Sequence, residues 1–315
     1  PGMSRRLRFI PPRSFVDVTS TCFQGRCLLR PSEELKDITL GVLGRARRYH
    51  SLDIHSFSFL STHYNLQVTP EDARQLAEFM QFFGSNLARE VGRLHQWEGK
   101  VWGRRYQAIL VAPEEAAQVE RLKYVLAQGT KEGLVASPRA WPGLHCLDAL
   151  LDGRPLVGTW FNRSRECEMR RRTGSVEPVE APEAETVPLA PLPCWAHLGP
   201  EERRARLLAL VEEIEDEARV ARCGKKPLGP SRVRRTHPHR LPIQKRVKTP
   251  CPLVLAATRA ARKKLREAYR AFVLAYRAAA ARFRRDPGVL ELLPRFPEGC
   301  FPPPLPFVQA RAPDG

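Results

Sequence analysis

The sequence predicts an α+β fold: a ferredoxin-like βαββαβ unit with an added C-terminal helix, followed by a mostly α-helical basic extension. Three observations predict it. The first 160 residues alternate between period-two strand signals and helical spacing of apolar positions. Residues 177–193 then turn acidic and Pro-rich, a linker composition. The net basic excess falls almost wholly beyond that point. Of 52 Lys and Arg, 21 lie between Arg219 and Arg285 against one acid, Glu267, while the rest of the chain holds 31 bases and 33 acids. We divide the chain into residues 1–160, a linker at 161–195 and an extension at 196–315. The length of 315 residues and the 43% hydrophobic content suffice for two domains with a sizeable core.

Taken in order, Ser14–Ser20 reads as a strand. Ser32 caps a helix to about His50, with Leu35, Ile38, Val42 and Leu43 on its inner face. A strand begins near Ile54, and a neighbouring one carries His63. Thr69-Pro70-Glu71-Asp72 opens a second helix with Thr69 as cap, and Leu76, Phe79, Met80, Phe83 and Leu87 form its buried stripe. Trp102–Val111 reads as a strand, and Pro113-Glu114-Glu115 starts a third helix that Gly129 and Gly133 end. The expected result is an antiparallel sheet with helices on one face. Beyond the linker, Pro200 opens a helix with Leu207, Val211, Ile214 and Ala218 at helical spacing. A second long helix runs from Leu253 to Arg285, with Leu265, Tyr269, Phe272, Tyr276 and Phe283 as its stripe. The Pro/Phe tail 296–307 reads as a strap over the helices.

The residues that carry chemistry are His63 and Asn65, two apart on a strand and so on one face, and Tyr124 and Gln128, one helical turn apart. Brought together they form a metal site beside a phenol nucleophile, a constellation suited to cutting a DNA strand. Each has a plainer reading alone: a core histidine, a packed helix tyrosine, an amide without role. A block as basic as 219–285 points to nucleic acid, with Arg234, Arg235, Lys245, Arg246, Arg262, Lys263 and Lys264 on phosphates. Arg104 and Arg105, beside Trp102 and Tyr106, suit a strand that grips phosphates and stacks bases; Lys123, on the tyrosine helix, is a further expected DNA contact. His237 and His239 lie in basic surroundings that repel a cation and read as phosphate contacts at most. Eight scattered cysteines without a Cys-x-x-Cys pair read as reduced thiols of a cytoplasmic protein. No apolar run approaches a membrane span, no signal peptide is evident, and Pro1-Gly2 ahead of Met3 reads as a cloning remnant.

Four blocks in order resemble the REP-associated tyrosine transposases, bacterial single-tyrosine HUH enzymes. They are Val16–Ser20 with Gln24–Arg30, Ser61-Thr-His-Tyr-Asn-Leu66, Gly103-Arg-Arg-Tyr-Gln-Ala-Ile-Leu110, and Arg121–Val135, together spanning about residues 8–155. The resemblance implies a dimeric ferredoxin-like domain that binds single-stranded or hairpin DNA and uses Mg or Mn. It implies cleavage and rejoining through a 5′-phosphotyrosine, with Tyr124 as nucleophile and His63, Asn65 and Gln128 as metal ligands. Asn65 stands where the family has a second histidine, and Thr62 replaces an Asn; a neutral amide is a poorer donor than imidazole for Mn. The alternative is a domesticated DNA-hairpin binder with weakened or lost catalysis. An RNA-binding domain of the same layout ranks last, because the aromatic-rich strand signature is absent.

Overall fold

The structure, a computed structural model, describes residues 6–173, 181–241, 254–285 and 296–300. Strand β1 (Val16–Thr21) leads to helix α1 (Glu33–Tyr49), where Ser32 Oγ accepts a hydrogen bond from Leu35 N as the expected cap. Strands β2 (Asp53–Leu60) and β3 (His63–Thr69) form a hairpin closed by Leu60 opposite His63. Helix α2 (Ala73–His95) follows, capped by Asp72 rather than Thr69: the Asp72 carboxylate accepts from Gln75 N at 2.7 Å. Strand β4 (Gln107–Val111) and helix α3 (Glu115–Leu126) complete the first half. Arg104, Arg105 and Tyr106 precede β4 rather than lying in a strand.

The strands stand in the order β2-β3-β1-β4, every neighbour antiparallel, with a short β7 (Val254–Leu255) added parallel to β4. That last strand shortens the final helix, α8 (Arg259–Arg285), relative to the start expected at Leu253.

Period-two alternation gives this sheet two unlike faces. Val16, Val18, Phe57, Phe59, Tyr64, Leu66 and Val68 fill one, all buried, and α2 covers it with Phe79 and Phe83. Tyr64 meets Phe83 edge-on at 5.6 Å, and Phe59 lies against Tyr64 at 5.1 Å. Burial of each such side chain contributes about 1.5–3 kcal/mol. The opposite face carries Asp17, Ser56, Ser58, Asn65 and Gln67, also buried, and α3 lies over it, Arg121 pairing with Asp17 at 2.5 Å. Helices therefore cover both faces, not one. The cause is the polar residues of β1–β3, which are shut from water and need polar partners from a helix.

The expected linker is folded over residues 161–173 and 181–195; its residues 174–180 lie outside the described residues. Strand β5 (Leu156–Phe161) pairs antiparallel with β6 (Pro182–Val187), and this arm packs on α1. Between them lies α5 (Arg163–Thr173), and a short α4 (Leu147–Asp152) precedes them. Two of the acids that made the segment look solvated are paired: Arg45 of α1 binds both Glu183 and Glu185, and Arg48 reaches Glu185 at 3.3 Å. Gly41 of α1 and Gly158 of β5 let the two backbones touch; a Cβ at either would overlap the other element.

Helix α6 (Pro200–Arg222) buries Leu207, Leu210, Val211, Ile214 and Ala218, and packs on α3. A short α7 (Pro230–Arg234) follows. The stripe of α8 meets the N-terminal segment and the tail, Phe272 lying 4.8 Å from Phe9 and Tyr276 5.3 Å from Phe296. Gly299 O accepts from Ile10 N, a strap contact of the kind expected for the tail; residues 301–307 lie outside the described residues. Among the described residues no helix is long and apolar enough to cross a membrane.

Candidate active site at the tyrosine helix

His63 is the first residue of β3, so it sits at the sheet's end, half-buried, on the polar face. Its Nε2 lies 3.2 Å from Gln128 Oε1 and its Nδ1 3.1 Å from Thr62 Oγ1. Gln128 falls two residues past α3, where Gly129, at φ 84°, turns the chain in a conformation open to glycine. Gln128 Nε2 donates to the Tyr124 carbonyl at 3.2 Å. The structure thus joins the side chains of His63 and Gln128, and Gln128 to the backbone of Tyr124.

Tyr124 is 38% exposed. The Arg121 guanidinium lies 3.8 Å and the Lys131 ammonium 3.4 Å from its ring centroid. A pocket of 270 Å³ opens beside it, lined by Glu120, Arg121, Tyr124, the β7 backbone, and Arg262 and Arg266 of α8. Sequence reasoning named Tyr124 and Arg262 but missed Arg121, Lys131 and Arg266. Arg121 had a local signal, its i, i+3 spacing to Tyr124. The others converge through the tertiary fold alone.

Asn65 shares His63's face but is 2% exposed, and its Nδ2 has no hydrogen-bond partner among the described residues. Ser58 Oγ, Gln67 Nε2 and Thr130 Oγ1 are buried in the same condition. Asp17 is pushed above the ordinary carboxylate range by burial, the Arg121 guanidinium pulling it back.

These residues do not fit a resident divalent metal. The donors are one imidazole and two neutral amides, and among the described residues no group of three His, Cys, Asp or Glu is placed to hold an ion. The unsatisfied atom at Asn65 is an N–H, which seeks an acceptor and not a cation. Gln128 is oriented by the Tyr124 carbonyl so that Oε1 faces His63. His63 Nε2 and Gln128 Oε1 so face each other at 3.2 Å, with the direction of the contact set by the imidazole tautomer.

The expected DNA-binding residues divide. Arg104 and Arg105 are exposed. Tyr106 is half-buried, and Arg8 covers its ring at 3.4 Å, so that face is closed to a base. Lys123 is held by Glu213 and Glu217 of α6 at 2.9 and 2.7 Å, which neutralises it as a phosphate contact. Arg234 is exposed beside Glu33 at 3.4 Å, and Arg235 is exposed on the same turn. Arg262, Lys263 and Lys264 are exposed at the start of α8; Lys245 and Arg246 lie outside the described residues. His239 Nε2 contacts His95 O at 2.9 Å and its ring stacks near Trp97 at 5.0 Å, so this histidine pins its segment to the first half.

The fold and site define a class: a four-stranded antiparallel sheet, extended by one short strand, with a tyrosine-bearing helix on its polar face. Two solved structures are similar to this chain in part. A REP-associated tyrosine transposase bound to a REP hairpin is 14% identical, covering 48% of this chain and 86% of its own, at a TM-score of 0.41. A candidate transposase from Deinococcus radiodurans R1 is 15% identical, covering 39% of this chain and 92% of its own, at a TM-score of 0.27. No protein-family model matches the chain, and no curated protein does.

Proposed function

We propose that this chain is a transposase-type DNA-binding protein that takes single-stranded or hairpin DNA into the Tyr124 pocket and cuts and rejoins it there. The reading rests on a ferredoxin-like interpretation of the strand order and on one observation above all. A half-exposed tyrosine stands at a pocket lined by cations, one helical turn ahead of Gln128, whose side chain meets His63. Such surroundings attract a phosphodiester and place a nucleophile against it. In the step proposed, the Tyr124 oxygen bonds to phosphorus, the bond from phosphorus to the 3′-oxygen breaks, and the phenol proton ends on that oxygen. DNA is held as a 5′-phosphotyrosine and a 3′-hydroxyl is released. Rejoining reverses the step without an added energy source. No part of it is routed through Mg or Mn.

The closed His63–Gln128 hydrogen bond and the carboxylate-free donor set favour a second reading, a hairpin binder without catalysis. Incubation of the protein with end-labelled hairpin DNA separates the two. A covalent protein–DNA adduct that Tyr124→Phe abolishes, with hairpin binding retained by the variant, supports cleavage. Tight binding with no adduct from the unaltered protein under any cation condition supports the silent binder.

A further inference from the structure

We infer that the Tyr124 pocket activates its phosphodiester with side-chain cations in place of a divalent ion, the C-terminal helix α8 completing the site with Arg262 and Arg266. This deepens the proposed function and rests on it. The first-half contribution is anchored: Arg121 is held by the buried Asp17 at 2.5 Å, lies over the Tyr124 ring, and its buried Nε–H has no acceptor among the described residues. Lys131 approaches the same ring after the Gly129 turn. The second-half contribution is anchored as well. Strand β7 pairs with β4, Ala112 N donates to Leu255 O at 2.8 Å, and Thr258 Oγ1 caps α8 by accepting from Ala261 N. Arg262 donates to Ala256 O at 3.2 Å, and with Arg266 it lines the pocket that holds Tyr124.

A phosphodiester carries one negative charge, and the pentacoordinate state gathers more on its two non-bridging oxygens. Guanidinium forks match that pair of oxygens in geometry and sign, and fixed cations in a recessed site stabilise charge as it develops. The opposing carboxylates are Asp17, spent on Arg121, Glu132, 3.7 Å from Lys131, and Glu120 on the pocket wall. Bonds made and broken are those of the step above, so no further reactant is needed.

The test follows the phosphotyrosine adduct of the full-length protein with labelled hairpin DNA, in EDTA and with added Mg or Mn. Arg121→Gln would strand the buried Asp17, so the informative variants are Arg262→Gln/Arg266→Gln and, separately, Lys131→Gln. The unaltered protein is expected to form adduct in EDTA at a rate within about threefold of that with Mg. The double variant should be slower by about 100-fold, with an unchanged thermal unfolding midpoint, and Arg262→Lys/Arg266→Lys should recover part of the loss. Adduct that forms only with added metal, or a double variant as fast as the parent, overturns this inference and leaves the proposed function standing. Absence of adduct from the parent in every condition overturns both.

Discussion

The two faces of the central sheet are equally buried and built on opposite principles. On one, Tyr64, Leu66 and Val68 of β3 meet the aromatic stripe of α2, and the contacts are mainly apolar, the Tyr64 hydroxyl bonding to Ser20. On the other, residues one step along the same strand, Asn65 and Gln67, bury amides beside Asp17 of β1, which the Arg121 guanidinium of α3 meets, and several polar atoms have no partner among the described residues. An orphaned buried polar group costs about 1–3 kcal/mol. The first face holds the fold, and the second is a liability that the first offsets. A sheet does not need such a layer for stability, and its edge is where the candidate nucleophile sits.

The largest effect should come from the apolar face. Phe83→Ala is expected to destabilise the protein by about 3–5 kcal/mol in urea unfolding. A loss under about 1 kcal/mol would mean that the aromatic stripe does not carry the fold. Acid should strike the polar side next. His145, bridged to Ser58 at the margin of β2, is held by burial at about 4, and His55 is lowered for the same reason. A depressed histidine stays neutral in the folded chain while the unfolded chain takes up a proton. Stability is therefore full above the unfolded value of 6.5 and falls as pH drops toward 4. His145 alone should remove on the order of 2–3 kcal/mol between pH 7 and pH 4.5. His145→Leu should flatten that dependence, and an unflattened profile would place the acid sensitivity elsewhere. The smallest effect concerns the pair Ser56 Oγ to Gln67 Oε1, 2.6 Å apart. Ser56→Ala alone should cost about 1 kcal/mol, whereas Ser56→Ala with Gln67→Leu should be close to neutral or stabilising. A double variant much weaker than the single one would show that the polar layer stabilises after all.

Much of this was readable in local sequence. Ser32 as cap, the Leu76–Leu87 stripe, the strand around His63 and the i, i+4 pair Tyr124 and Gln128 all follow from spacing. What escaped depends on partners far along the chain. Glu183 and Glu185 read as a solvated linker because Arg45, which neutralises them, lies nearly 140 residues earlier. Lys123 reads as free until α6 brings Glu213 and Glu217 to it. Val254–Leu255 is too short to announce a strand, and only the open edge of β4 makes it one. Thr69 reads as the cap of α2 from local pattern, yet Asp72, equally suited to a helix start, holds that place. The pairing of Arg121 with Asp17 is legible only once β1 and α3 are superposed.

The glycine seam between α1 and β5 has a consequence for anyone who would divide or graft this gene. Gly41 and Gly158 admit no bulkier residue, so the arm is seated against one particular helix and against no generic apolar surface. A cut at residue 160 would leave half a hairpin on the fragment and bare the groove it filled. Chimaeras should keep residues 33–49 and 156–187 from the same parent, whatever is exchanged around them.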